Sequence, residues 1–259
     1  MGLFNFKKNK PEENRHFNIK GDYWNFYSYT YGKDMTALVE FDYQIAKEEH
    51  HKGYNSCKRV IIYIPLEKSS ANGLPTKEES VRIHNLEKDL LSKLVIVDCK
   101  LVGKMSYGAM CDFIFQTNDS ASFMKTVNKW ISDQKSHRIE IIEKEGWEFF
   151  DTKIKPNHIF WQQISDRRTI GILIEQGTNP NKEHTIEHSF SGQEAILQSL
   201  RNLLTSEGFK LISMSDNRLI LSKPAKLIGG DLSNLTQRLA GYSANIGAKY
   251  EGWGTKIEE

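Results

Sequence analysis

Four groups of residues carry side chains able to do chemistry, and their spacing decides what each could do. His184 and His188 stand four apart in "EHTIEHSF". Imidazoles ligate metals and move protons, but the alternation of polar and apolar residues makes this segment a strand. At about 3.3 Å per residue the two rings would lie roughly 13 Å apart on one face, too far to share a tetrahedral metal. Both read as semi-buried histidines bonded to their surroundings, with His188 mid-strand beside Ile186 and Phe190. His50 and His51 are neighbours in a charged loop and offer no ligand set. Glu78, Glu79, Glu87 and Asp89 could pair for acid/base work, yet their lysine-rich helical setting reads as a solvated face with i,i+4 pairing. Cys57, Cys99 and Cys111 show no C-x-x-C spacing and no local base to activate a thiolate. That argues against a disulfide scaffold, a zinc knuckle or a thiol nucleophile, and for a reducing cytoplasm. Gly229 and Gly230 precede a helix whose amides could take an anion, but no phosphate-binding motif accompanies them, so a loop and cap is expected. No G-x-G-x-x-G, H-E-x-x-H or G-x-S-x-G pattern occurs. The expectation is no catalytic residue, no metal and no cofactor.

The most unusual stretch is "AKYEGWGTKIEE", which places Tyr250, Glu251, Gly252, Trp253 and Gly254 close to the final residue. Glycine is costly inside a strand, so the pair signals a bulge, a tight bend or a close backbone approach, with Trp253 projecting between. Trp253 then has two roles open to it. It could anchor a partner protein, since tryptophans often dominate interface energies, or it could pack over the helix expected at 232–245.

The elements that must position these residues follow from periodicity. "YWNFYSYTYGKDMTALVEFDYQI" has aromatic-rich flanks around Gly32, Lys33 and Asp34 and reads as a β-hairpin. Next come a strand "RVIIYIPL", a helix from Thr76 with Ile83, Leu86, Leu90 and Leu94 as its stripe, two strands "LVIVDCKLVG" and "YGAMCDFIFQ", a helix "NDSASFMKTVNKWISDQ" and a strand "HRIEIIEK". The order β-α-β-β-α-β recurs in "EHTIEHSF", "SGQEAILQSLRNLLTSEG", "FKLISMS", "RLILSKP", "GGDLSNLTQRLAGYSANIG" and "AKYEGWGTKI". The fold class expected is α+β, two tandem ferredoxin-like domains with a hairpin ahead of the first. The expected divisions are a flexible basic leader at 1–20, an amino-terminal α+β domain at 21–156, a connecting helix and loop at 157–182, and a second domain at 183–259.

The 259 residues are 39% hydrophobic with 13 Phe, 10 Tyr and 5 Trp, which is core material for two domains. Net charge is +2, and residues 160–259 hold 11 basic and 11 acidic side chains. Neither figure provides the basic face that nucleic acid or an anionic membrane would need. The strand "RLILSKP" is aliphatic and lacks the aromatics that stack RNA bases. No apolar run approaches the roughly 18–20 residues that span a bilayer, and "MGLFNFKKNK" has the wrong order for a signal peptide.

Residues 162–259 resemble the bacterial family of regulators of ribonuclease activity B. The likeness rests on "EHTIEHSF", the helix ending "LLTSEGF", the hairpin after it, and above all "YEGWGT", Tyr250 to Thr255. The resemblance implies a non-catalytic module that binds and inhibits an endoribonuclease, with His188, Tyr250, Glu251, Gly252, Trp253 and Gly254 as protein-binding residues. The best-known members are acidic, whereas this region is charge-balanced, which weakens steering toward a basic partner. The first half is similar to a domain of unknown function often fused ahead of that regulator, through Trp24, "NGLPTKEE" and "GWEFFDTKIKP". Two alternatives stand beside the regulator. One is an enzyme with an unrecognised site in a cleft between domains, drawing on His84, Asp98 or His188. The other is a self-associating protein, a homodimer paired through an edge strand.

Overall fold

The computed structural model describes residues 17–47, 54, 57–134 and 139–256. Positions 1–16 of the expected leader and the last three residues lie outside them. The chain divides between Lys155 and Pro156 into two compact units, each with its own sheet.

In the first unit β1 (Trp24–Tyr31) and β2 (Met35–Asp42) pair antiparallel along their whole length, Trp24 opposite Asp42 and Tyr31 opposite Met35. A short helix α1 (Tyr43–Lys47) follows. Next come β3 (Lys58–Pro65), α2 (Lys77–Leu94), β4 (Cys99–Tyr107), β5 (Met110–Thr117), α3 (Ser120–Asp133) and β6 (Glu140–Glu145). The strands lie in the order β1-β2-β4-β5-β3-β6. Thr76 caps α2, its hydroxyl accepting from the Glu79 N–H at 3.3 Å, and Asp119 caps α3 by accepting from the Ser122 N–H at 3.0 Å. Ile83, Leu90 and Leu94 of α2 and Phe123, Val127 and Trp130 of α3 bury themselves on Val60, Ile62, Phe113 and Phe115. A π-helical turn, Phe150–Ile154, packs against β2 and β4. Gly103 makes this possible, because a Cβ there would stand 2.6 Å from Ile154 Cγ2.

Two of the four carboxylates of α2 differ from expectation, whereas Glu78 is exposed and Asp89 pairs with Lys93 at i,i+4. Glu79 and Glu87 are buried, at 3% and 2% exposure, instead of lying on a solvated face. Glu87 accepts from Lys104 Nζ at 2.9 Å and also pairs with Lys20. Lys104 in turn reaches Glu40 at 3.1 Å. Burial pushes the Glu87 carboxyl upward, but Lys104 and Lys20 outweigh it and hold it below its ordinary range. These partners come from distant strands and loops, so no i,i+4 pattern on the helix reveals them.

The second unit opens with α4 (His158–Glu175), whose N-cap Asn157 accepts from the backbone N–H groups of Ile159 and Phe160. Then follow β7 (Glu183–Ser191), α5 (Glu194–Ser206), β8 (Lys210–Ser215), β9 (Arg218–Lys226), α6 (Asp231–Asn245) and β10 (Lys249–Gly254). The sheet is antiparallel, in the order β10-β7-β9-β8. The four strands within 58–145 run β6-β3-β5-β4, the same relative order. Helices α5 and α6 cover one face, where Phe190, Leu219 and Leu221 meet Leu197, Leu200, Leu204 and Leu239. Helix α4 falls within this unit and packs on α6, with Leu173 joining Ile186, Leu227 and Leu232 in a second cluster. No helix of the described residues is long and apolar enough to cross a membrane.

Candidate functional site

The site is built by the register of β10 on β7. Lys249 lies opposite Ser191 and Tyr250 opposite Phe190, but then the ladder skips Glu251. Gly252 faces Ser189, Trp253 faces His188 and Gly254 faces Glu187. Tyr250 and Trp253 are three residues apart, so in a regular strand they would point to opposite faces. The one-residue bulge turns both toward the helix-covered face that Phe190 and His188 share. Gly252 carries the turn at φ +108°, a region that residues with a Cβ rarely adopt. The glycine next to Trp253 is thus the cause of the tryptophan's direction.

Inside that face Tyr250 is buried and its hydroxyl shares a hydrogen bond with His188 Nδ1 at 2.8 Å. His188 is wholly buried, and its Nε2 has no hydrogen-bond partner among the described residues. The ring meets Phe209 edge-on, centroids 5.6 Å apart. Burial, with a smaller contribution from Lys223, pushes the imidazole down to about 4, so it is neutral at pH 7. Burial likewise pushes the Tyr250 hydroxyl up, with Asp166 adding to the effect. His184 is also buried, its Nε2–H donating to the Asn179 carbonyl at 2.8 Å. Among the described residues no three His, Cys, Asp or Glu side chains come together as a metal site.

Trp253 is half-buried, its ring against the cluster of Leu173, Ile186, Leu227 and Leu232. Its Nε1–H donates to Asp166 Oδ1 at 2.7 Å. Asp166, on α4, is 1% exposed and accepts two further bonds, from Gln162 Nε2 at 2.6 Å and from the Thr236 hydroxyl of α6. Burial pushes this carboxyl up, while the Thr236, Trp253 and Gln162 donors pull it back. One carboxylate thereby ties α4, α6 and β10 together. The packing role open to Trp253 is realised against Leu232 at the start of α6.

The opposite face of the sheet is open. Glu251, the bulged residue, is exposed and accepts from Ser191 Oγ at 2.6 Å and Lys249 Nζ at 2.9 Å. Arg218 Nε donates to Ser189 Oγ at 3.1 Å. A shallow groove of about 290 Å³ runs past Glu187, Ser189, Arg218, Ile220 and the Trp253 edge. A second, of about 470 Å³, adjoins it through Arg218 and Glu251 and reaches Ser191 and Asn217. The arrangement offers one cation, Arg218, between the carboxylates Glu187 and Glu251, with small hydroxyls and apolar edges, which suits recognition.

Of the six expected residues, Tyr250 and His188 therefore lie in the core. Trp253 and Gly252 stand at its boundary, and Glu251 and Gly254 are on the surface. Asp166, Gln162, Thr236 and Arg218 were not anticipated. A signal existed for the first two. Ile159, Gln162, Asp166, Ile170 and Leu173 recur at helical spacing, which places polar residues on an apolar stripe.

Residues 163–255, which hold nearly all of this geometry, match the family described as Regulator of ribonuclease activity B. The amino-terminal region, residues 22–152, matches the Family of unknown function (DUF695). That second match covers just over half of the 259 residues, and the chain belongs to this family. No curated protein matches the chain.

Proposed function

We propose that this chain is a non-catalytic protein-binding module whose second unit regulates an RNA-processing endoribonuclease by steric contact. The observation that carries the reading is the bulge at Gly252. It fixes Trp253 against Asp166 and opens the Glu251–Arg218 groove beside it, all within the stretch that matches the ribonuclease regulator. A surface whose tryptophan is already hydrogen-bonded and packed loses little freedom on docking. The exposed edge of Trp253 serves as the apolar anchor, and Arg218 and Glu251 set register by charge. Inhibition needs no group transfer: the docked sheet occupies the partner's active region.

Both sheets are ferredoxin-like in this reading, supported by their common strand order with the fourth strand beside the first and the third between the first and second. A reducing, cytoplasmic setting is supported by three buried, unpaired cysteines.

The test is co-purification from host lysate with the tagged full chain, using an Arg218→Glu/Glu251→Lys double variant as control. Both positions are exposed, so the fold is retained. An RNA-processing enzyme held by the native chain and lost by the variant is the expected result. Identical partners for both chains would overturn the proposed surface. One observation favours the homodimer as a second reading: Leu211 and Ile212 on edge strand β8 are 42% and 50% exposed. Mass that rises with protein concentration, and falls back in Ile212→Lys, is what that reading requires.

A further inference from the structure

The first unit holds a cavity that the regulator reading does not use. It lies between the end of α2 and one flank of α3, has a volume of about 570 Å³, and is lined by Lys93, Ile96, Val97, Lys125, Lys129 and Trp130 among others. That volume is in the range of pockets that take small organic ligands, roughly 300–1,000 Å³.

Its chemistry divides cleanly between floor and rim. Val97 and Trp130 are each 2% exposed and anchored in the core, so they close the base rigidly while offering almost no surface of their own. The Trp130 Nε1–H is already committed to Asp89 Oδ2 at 2.8 Å, which locks the indole in place. Ile96 stands at the mouth at 63% exposure, as open as any large apolar side chain among the described residues. An aliphatic side chain held so far out, beside a concave apolar floor, leaves water-facing surface that a ligand would cover.

The rim is cationic. Lys125 and Lys129 lie one turn apart on α3, and Lys93 faces them from the last turn of α2. Among the described residues Asp133 is the one acidic side chain lining the cavity. Lys93 has Asp89 at 3.7 Å, a distance at which its charge is only partly answered. The lining therefore carries a net positive charge over an apolar base.

We propose that this cavity binds a small amphipathic anion, an aliphatic carboxylate of medium chain length, with its chain along Ile96 and the lysine stems and its carboxylate among the ammonium groups of Lys93, Lys125 and Lys129. Lysine suits the task because its flexible ammonium acts as a point charge without demanding a planar fork. Ile96 and the methylene stems of the three lysines supply affinity through area removed from water, and the ammonium groups select the sign of the head group.

Decanoate is the probe, titrated into the purified full chain by calorimetry, with decanol and decyltrimethylammonium as controls of equal chain length. Saturable one-site binding of decanoate is expected. Lys125→Glu/Lys129→Glu should weaken it at least about tenfold, because two attractive charges become repulsive ones. Ile96→Asp should weaken it too, through the lost apolar contact and the added charge. All three positions are exposed, and unchanged far-ultraviolet dichroism and melting confirm that the variants fold. No saturable binding at millimolar decanoate would overturn the proposal. So would equal binding of decanol, or equal binding to the lysine double variant. Failure here leaves the regulator reading untouched, since the cavity lies in the other unit.

Discussion

Trp253 Nε1 donates to Asp166 Oδ1 at 2.7 Å across 87 residues of chain. Trp253→Phe keeps an aromatic ring, though a smaller one, and removes the donor, leaving a buried carboxylate with one fewer bond. Hydrogen bonds to charged groups contribute about 1.5–3 kcal/mol, so a loss of that order is expected in urea unfolding. Trp253→Ala should cost more, because the Leu173, Ile186, Leu227 and Leu232 cluster then loses its cover.

The bulge supplies a sharper contrast. Gly252 has nothing within 4 Å of an added Cβ, so space does not forbid a side chain, but its φ of +108° does. Gly252→Ala should destabilise by about 1–3 kcal/mol through backbone strain alone. Its neighbour Glu251 is exposed, and Glu251→Ala should fall within about 0.5 kcal/mol of the native chain. Equal effects at the two positions would mean that the bulge does not set the register.

Acid should loosen the second unit through His188. Its folded pKa of about 4 lies below the ordinary 6.5, so the folded state resists the proton that the unfolded state accepts. The stability it contributes is fully present above pH 6.5 and is lost as pH falls through 4. The shift corresponds to about 3 kcal/mol over that window. His188→Phe should be less stable at pH 7 for want of the Tyr250 bond, yet its unfolding midpoint should vary less between pH 6.5 and 4.

Asp112 acts with the opposite sign in the first unit. Burial pushes its carboxyl up to about 7, against the pull of the Tyr107 hydroxyl, which donates to Oδ2 at 3.0 Å. Its other oxygen has no hydrogen-bond partner among the described residues. A raised carboxyl favours folding below its unfolded pKa near 3.8, and that advantage is lost as pH rises through 7. Asp112→Asn keeps an acceptor for Tyr107 and removes the charge. It should be more stable than the native chain at pH 8, by about 1–3 kcal/mol, and lose that margin by pH 4.

Much of the mixed α+β order was legible because apolar spacing changes between two and three-to-four along the chain. The stripes of α2 and α3 and the strands around them follow from it directly. The glycines of "YEGWGT" announced an irregular strand, since neither has a packing reason to sit in a regular one. The partner of Trp253 was not legible, because Asp166 lies on a helix that reads as a connector and its carboxylate meets the indole only after α4 packs on α6. Glu87 was missed for the same physical reason. Its stabilising cations, Lys104 and Lys20, are brought to it by the sheet and by chain ahead of β1. Local pattern identifies elements, whereas pairs that close long loops depend on the fold being already assembled.

The most direct test of the regulator reading is the rate of RNA cleavage by the endoribonuclease of the same cell, measured with increasing amounts of the purified full chain. Cleavage should slow to a plateau as the chain saturates the enzyme. Arg218→Glu/Glu251→Lys should need at least about tenfold more protein for the same effect. A cleavage rate that stays constant to a large molar excess of the folded native chain would contradict the account.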